Sequence, residues 1–219
     1  MTPDYERAAI KATETLIQYQ INTAPIDPLP ILKHTPGVLV LSFSEMAAQT
    51  NRDRREILDT LGCNNQDALT TVFIDGSSLK YVVTYNRMLS ARIVDRALAR
   101  ELGHIVLSHD GTKPEDVRNE EAKCFAHHLL CPRPLIHALQ SAGIRLTTET
   151  IGNTVGFYDY CLSCIRSQPS VHVPAELNRQ VRDQFMPYIT NLFEYQRYAS
   201  QHDGSALADL GDYMKGYEE

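Results

Sequence analysis

The first stretch of the chain, residues 4–20, repeats apolar side chains at helical spacing, with Ala8, Ala9, Ala12, Leu16 and Tyr19 on one face. Pro25, Pro28 and Pro30 then break the chain and lead into Ile31 and Leu32. The run Gly37-Val38-Leu39-Val40-Leu41 suits a buried strand. Asn51 is placed to cap a helix through Arg55, Ile57 and Leu58, with Gly62 as its stop. Two segments rich in β-branched and aromatic residues follow, 69–74 and 79–85, and Asp75-Gly76-Ser77-Ser78 between them reads as a hairpin turn.

A long helix is expected over residues 87–108, burying Ile93, Val94, Ala97, Leu98, Leu102, Ile105 and Val106. Another begins near Pro114, a good first-turn residue, and carries Ala122, Phe125, Ala126, Leu129 and Leu130 on one face until Cys131-Pro132-Arg133-Pro134 ends it. Beyond Ile144 the pattern shortens, with breaks at Gly152, Gly156 and Pro169. An amphipathic helix then starts near Pro174 and carries Leu177, Val181 and Phe185, with Pro187 inside it or at its end. Residues 200–219 are polar and acidic, the pattern of a frayed terminus. The order predicts an α+β fold with a small hairpin sheet packed on helices. Residues 1–145 form the main domain, 146–200 a helical C-terminal extension and 201–219 a flexible tail.

Composition narrows the partners. The 219 residues are 43% hydrophobic and 22% charged, ordinary for a globular protein, and 21 Lys+Arg against 27 Asp+Glu give a formal charge of -6. That balance argues against broad contact with a phosphate backbone, so direct nucleic-acid binding is not expected. The N-terminus lacks a basic stretch followed by an apolar run, and no apolar segment is long enough to span a bilayer. Five cysteines at irregular spacing then read as reduced thiols of a cytoplasmic protein.

The chemistry concentrates in Leu98-Ala99-Arg100-Glu101-Leu102-Gly103-His104-Ile105-Val106-Leu107-Ser108-His109. An HExxH helix places two histidines one turn apart on one metal, with the glutamate beside the metal-bound water. Here the frame is RExxH: Glu101 and His104 stand in place, and Arg100 occupies the first histidine position. This block resembles the AHELGHxxLxH block of the ImmA/IrrE family of zinc peptidases. Downstream, Glu121-Ala122, Phe125-Ala126 and Leu129-Leu130-x-Pro132 resemble that family's EANxFAxxLLMP block. The opening helix, the Pro25-x-Asp27 step and the Asp75-Gly76 hairpin follow the family's order, so the resemblance covers roughly residues 5–140.

The resemblance implies a zincin-like fold, zinc as the family's cofactor, and a protein partner, typically a helix-turn-helix repressor of a prophage or mobile element. It assigns Glu101 the base role and His104 a surviving ligand role. The family's third ligand, a glutamate three residues before the alanine matching Ala122, falls on Asn119. Helical geometry sets Asn119 on the face of Ala122 and Phe125, with Glu120 pointing away and Glu121 at the edge as the substitute carboxylate. A guanidinium has no lone pair for a metal and repels a dication. Arg100 is therefore expected to replace the ion's charge by pairing with Glu101 or Glu121, leaving a pseudo-peptidase or weak peptidase. Tyr81, Val83 and Tyr85 are the candidate edge strand for an extended substrate.

Other features take plainer readings. His109, five positions beyond His104, is expected well round the helix from it, structural or exposed. His127 and His128 point apart. Cys161-x-x-Cys164 lacks a second pair with zinc-ribbon spacing. Residues 146–161 faintly resemble a helix-turn-helix, the basis of a DNA-associated alternative. A rearranged metal site drawing on His104, Glu121 and His127 or His128 is the enzymatic one.

Overall fold

The computed structural model describes residues 1–61, 67–75, 78–109, 111–144 and 171–201. The possible helix-turn-helix, the Cys161-x-x-Cys164 pair, the Gly76 turn and the acidic tail lie outside them.

Helix α1 (Tyr5–Gln18) begins where the Asp4 carboxylate accepts the Arg7 N–H at 3.0 Å. Pro28 and Pro30 do not merely break the chain, because they sit in the first turn of helix α2 (Pro28–His34). A proline costs little there, since first-turn N–H groups have no partner inside the helix, and Asp27 caps the end by accepting the Leu29 N–H at 2.8 Å. Strand β1 (Val38–Ser42) runs straight into helix α3 (Phe43–Thr50) through a Ser42–Glu45 capping box. Asn51 closes α3 in the left-handed region, at φ 51°, and does not open the next helix as expected. Asp53 opens α4 (Arg54–Leu61), accepting the Glu56 N–H at 2.8 Å.

Strands β2 (Ala68–Asp75) and β3 (Ser78–Tyr85) form the expected antiparallel hairpin, and β3 also runs parallel to β1, giving the order β1-β3-β2. Tyr81, Val83 and Tyr85 therefore lie on the central strand. Their backbone is flanked on both sides, with Val83 opposite Val40 and Thr70, and the expectation of an open edge there is corrected. An added strand needs unpaired N–H and C=O groups. Among the described residues, β2 offers such an outer edge.

Helix α5 (Ala91–Val106) packs against β2 and β3, and α6 (Glu115–Leu130) packs beside it and against α1, followed by α7 (Arg133–Ser141) and the long α8 (Ala175–Gln201). One core joins Ala8, Ala12 and Leu16 of α1 to Leu98 and Leu102 of α5 and to Phe125, Leu129 and Leu130 of α6. Burying each of these large side chains contributes roughly 1.5–3 kcal/mol. Gly103 sets the closeness of the central pair: a Cβ there would stand 3.0 Å from Phe125 Cδ1 and 3.2 Å from the Ala122 carbonyl oxygen. Val181 and Phe185 bring α8 into the same core, and the Gln184 side-chain amide donates to the Leu16 carbonyl at 2.9 Å. Pro187 lies inside α8. Among the described residues no helix is long and apolar enough to cross a membrane.

Candidate functional site

A cavity of about 550 Å³ opens between β2 and the α5–α6 pair. Arg100, Glu101 and His104 reach it from α5, Arg118, Asn119 and His127 from α6, and Leu69, Thr70 and Val72 from β2. The sequence-predicted Arg100, Glu101, His104 and Asn119 therefore share one space. A larger cavity of about 670 Å³, between α1, α7 and the start of α8, contains none of them. His128 lines that second cavity and His127 the first, so the adjacent histidines do point apart.

Glu101 is enclosed between α5 and the sheet. Burial raises its carboxyl above the usual range, and Thr70 and Arg100 offset this only in part. The Thr70 hydroxyl approaches Glu101 electrostatically but reaches no partner at hydrogen-bond geometry. His104 is pushed down to about 4, first by burial, then by His109, Arg100 and Arg118.

Behind His104 stands an arrangement that the sequence did not announce. Helix α5 stops at Val106, and Ser108 turns the chain at φ 54°, with the Ser108 N–H bonded to the Ile105 carbonyl and the His109 N–H to the His104 carbonyl. The turn brings His109 back, so that its Nδ1 lies 2.9 Å from His104 Nδ1. The expectation that the two imidazoles diverge fails because the helix on which it relied has ended. His109 Nε2 then meets Glu121 Oε2 at 2.8 Å, with both side chains only 1% exposed.

Glu121 lies within this support. Lys113 Nζ donates to Oε1 and Oε2 at 2.8 and 2.9 Å, and the Asp4 N–H donates to Oε1 at 2.9 Å. Burial opposes ionisation of Glu121, but the bonds from Lys113, Asp4 and His109 outweigh it and hold the carboxyl below its usual range. As an ionised acceptor, Glu121 accepts a hydrogen bond from Nε2–H of neutral His109, leaving His109 Nδ1 to accept from His104 Nδ1–H. That order puts the free lone pair of His104 on Nε2. For His109, burial lowers the affinity for a further proton, and Lys113 and Arg118 add to this against the pull of Glu121.

The expected pairing of Arg100 with Glu121 is absent, because Lys113 and His109 fill that carboxylate. Arg100 acts on Glu101 electrostatically, yet its Nε is buried without a hydrogen-bond partner, as is Nε of Arg118. Each such donor costs about 1–3 kcal/mol. Two of the three residues at the ligand positions implied by the resemblance do not fit a zinc ion, because Arg100 is a fixed cation and Asn119 is a neutral amide, while His104 keeps a free lone pair on Nε2. The chemistry available is a buried carboxyl, an imidazole lone pair and two guanidinium groups around one cavity.

Sequence reasoning missed His109, Lys113 and Asp4. The histidine closing the Leu107-Ser108-His109 segment was the available signal for the first, while the other two act across folded distances. Cys124 and Cys131 are buried thiols not joined in a disulfide, and burial pushes Cys124 up to about 12, as expected of unreactive thiols. Compared with known protein families, curated proteins and solved structures, the chain matches none.

Proposed function

We propose that this protein is a divergent relative of the ImmA/IrrE zinc peptidases that binds an extended segment of a regulatory protein, a helix-turn-helix repressor, without hydrolysing it. The observation that carries the reading is the side chain at the first ligand position of the motif. Arg100 enters the cavity there with Glu101 and His104, and Asn119 enters it at the third position. Zinc would polarise a peptide carbonyl and acidify water. A guanidinium can hydrogen-bond a carbonyl or carboxylate but cannot make hydroxide from water. With no activated water, Glu101 has no proton to take from it, and the site is left with recognition. The open outer edge of β2 can hold a peptide backbone beside this cavity.

The test is elemental analysis of protein purified without chelators, with a cleavage assay on a repressor encoded beside its gene. The expected result is substoichiometric zinc, repressor binding and no cleavage. Combining Arg100→His with Asn119→Glu is expected to recover part of the zinc binding. Stoichiometric zinc in the natural sequence, lost in His104→Ala, would overturn the reading.

One observation favours a second reading, an enzyme with a rearranged site. A hydrogen-bonded group behind an imidazole, as His109 backed by Glu121 stands behind His104, is the support commonly given to metal-binding histidines, and it leaves His104 Nε2 free. Zinc that disappears in His104→Ala, weakens in His109→Ala and persists in Asn119→Ala would select it.

A further inference from the structure

The cavity beneath β2 brings charged side chains of both signs together. Arg96, Arg100, Arg118 and Lys123 line it with Asp67, Glu101 and Glu115, and Lys123 is paired with Glu120 at 2.6 Å. Two of the cations also hold buried donors without an acceptor, Nε of Arg100 from α5 and Nε of Arg118 from α6. Buried donors are satisfied in most native proteins, so a pair of them around one cavity points to an acceptor supplied from outside. No carboxylate among the described residues supplies it: neither Nε reaches an acceptor, and Glu121 is filled by Lys113, His109 and the Asp4 N–H.

We propose that Arg100 and Arg118 together recognise one carboxylate, carried on an acidic side chain of a peptide lying along β2. This inference rests on the peptide-binding reading above and adds the class of segment selected. A planar carboxylate suits guanidinium donors in geometry and charge. A monoanion is favoured over a phosphate dianion, which would meet stronger repulsion from Asp67 and Glu115. Asn119 adds an amide donor on the same wall. The strand beside the cavity is suited to hold the backbone, because β2 is an outer strand of the sheet.

The probe is N-acetylglutamate methylamide, titrated into the ¹⁵N-labelled full chain beside its uncharged isostere, N-acetylglutamine methylamide. The readout is the Nε–Hε cross-peaks of Arg100 and Arg118. Both should shift saturably with the glutamate probe, and the glutamine probe should bind at least tenfold more weakly. Arg118→Gln should abolish that preference, and Arg100→Gln should do the same. If Arg100→Gln does not fold, Arg118→Gln and the unmodified protein still decide the matter. Unmoved cross-peaks overturn the inference, as does equal binding of the two probes. Inorganic phosphate acting at lower concentration than the glutamate probe overturns the carboxylate assignment. None of these outcomes depends on a repressor, so failure of repressor binding alone bears on the reading above and leaves the arginine site standing.

Discussion

The Nδ1 atoms of His104 and His109 lie 2.9 Å apart although five positions separate the two residues. Their meeting depends on Ser108, whose φ of 54° ends α5 in the left-handed region. A residue with a Cβ costs roughly 1–2 kcal/mol there, whereas glycine pays an entropic cost of about 0.5–1 kcal/mol. Ser108→Gly should therefore stabilise the protein by about 0.5–1 kcal/mol and raise the melting temperature by a few degrees. Ser108→Val should lower it, because a β-branched side chain fits this conformation worst. Thermal melts of the two variants check the prediction, and a fall in both would count against the turn.

Glu121 is the support on which that contact rests. Its carboxylate accepts from Lys113, His109 and Asp4 in nearly complete burial. Glu121→Gln keeps the shape but removes the charge and leaves Lys113 without its counter-ion. Because Lys113 is 26% exposed and can reach water, the cost should be about 2–3 kcal/mol, below the 3–5 kcal/mol of a fully buried broken pair. Denaturant unfolding measures it. A loss under about 0.5 kcal/mol would mean that the interaction stabilises little.

Gly103 gives the plainest packing test. In most helices Gly→Ala stabilises by about 1 kcal/mol. Here the new methyl would meet Phe125 Cδ1 at 3.0 Å and the backbone oxygen of Ala122 at 3.2 Å, and that oxygen cannot rotate away. The expected net effect is destabilisation by about 1–2 kcal/mol as α5 and α6 part. Unchanged or increased stability would show that the helices yield more easily than their contact implies.

These cases mark what the sequence could carry. Periodicity places α1, α5 and α6, because each buries a stripe at helical spacing. It also brings Arg100, Glu101, His104 and Asn119 to one cavity, since both helices present predictable faces. Pairing order was less legible. β3 is as rich in β-branched residues as any edge strand, and only the parallel partner β1, from far earlier in the chain, makes it central. The approach of His109 was hidden for a different reason: spacing along a helix says nothing once a serine adopts a positive φ. Lys113 and the Asp4 N–H reach Glu121 across 8 and 117 positions, and no local pattern encodes such a contact.

Asp95 provides a pH test whose sign can be worked out. Burial, with Asp27 adding to it, raises its carboxyl from 3.8 to about 6. The folded protein therefore keeps the Asp95 proton over a range where the unfolded chain has released it. The resulting stabilisation is complete below pH 3.8 and is lost as the pH rises through about 6. At pH 7.5 Asp95 is an ionised, half-buried group near a second carboxylate, and replacing it with an uncharged isostere should help. Asp95→Asn is expected to stabilise by about 1 kcal/mol at that pH, after allowing for solvent screening, and by nearly nothing at pH 3.5. His127, which burial lowers to about 4, contributes in the opposite direction, full above 6.5 and lost as the pH falls toward 4. That limb is common to both proteins, so the difference between their unfolding curves isolates Asp95. An equal gain at the two pH values would show that the asparagine acts through packing or hydrogen bonding and not through removal of the charge.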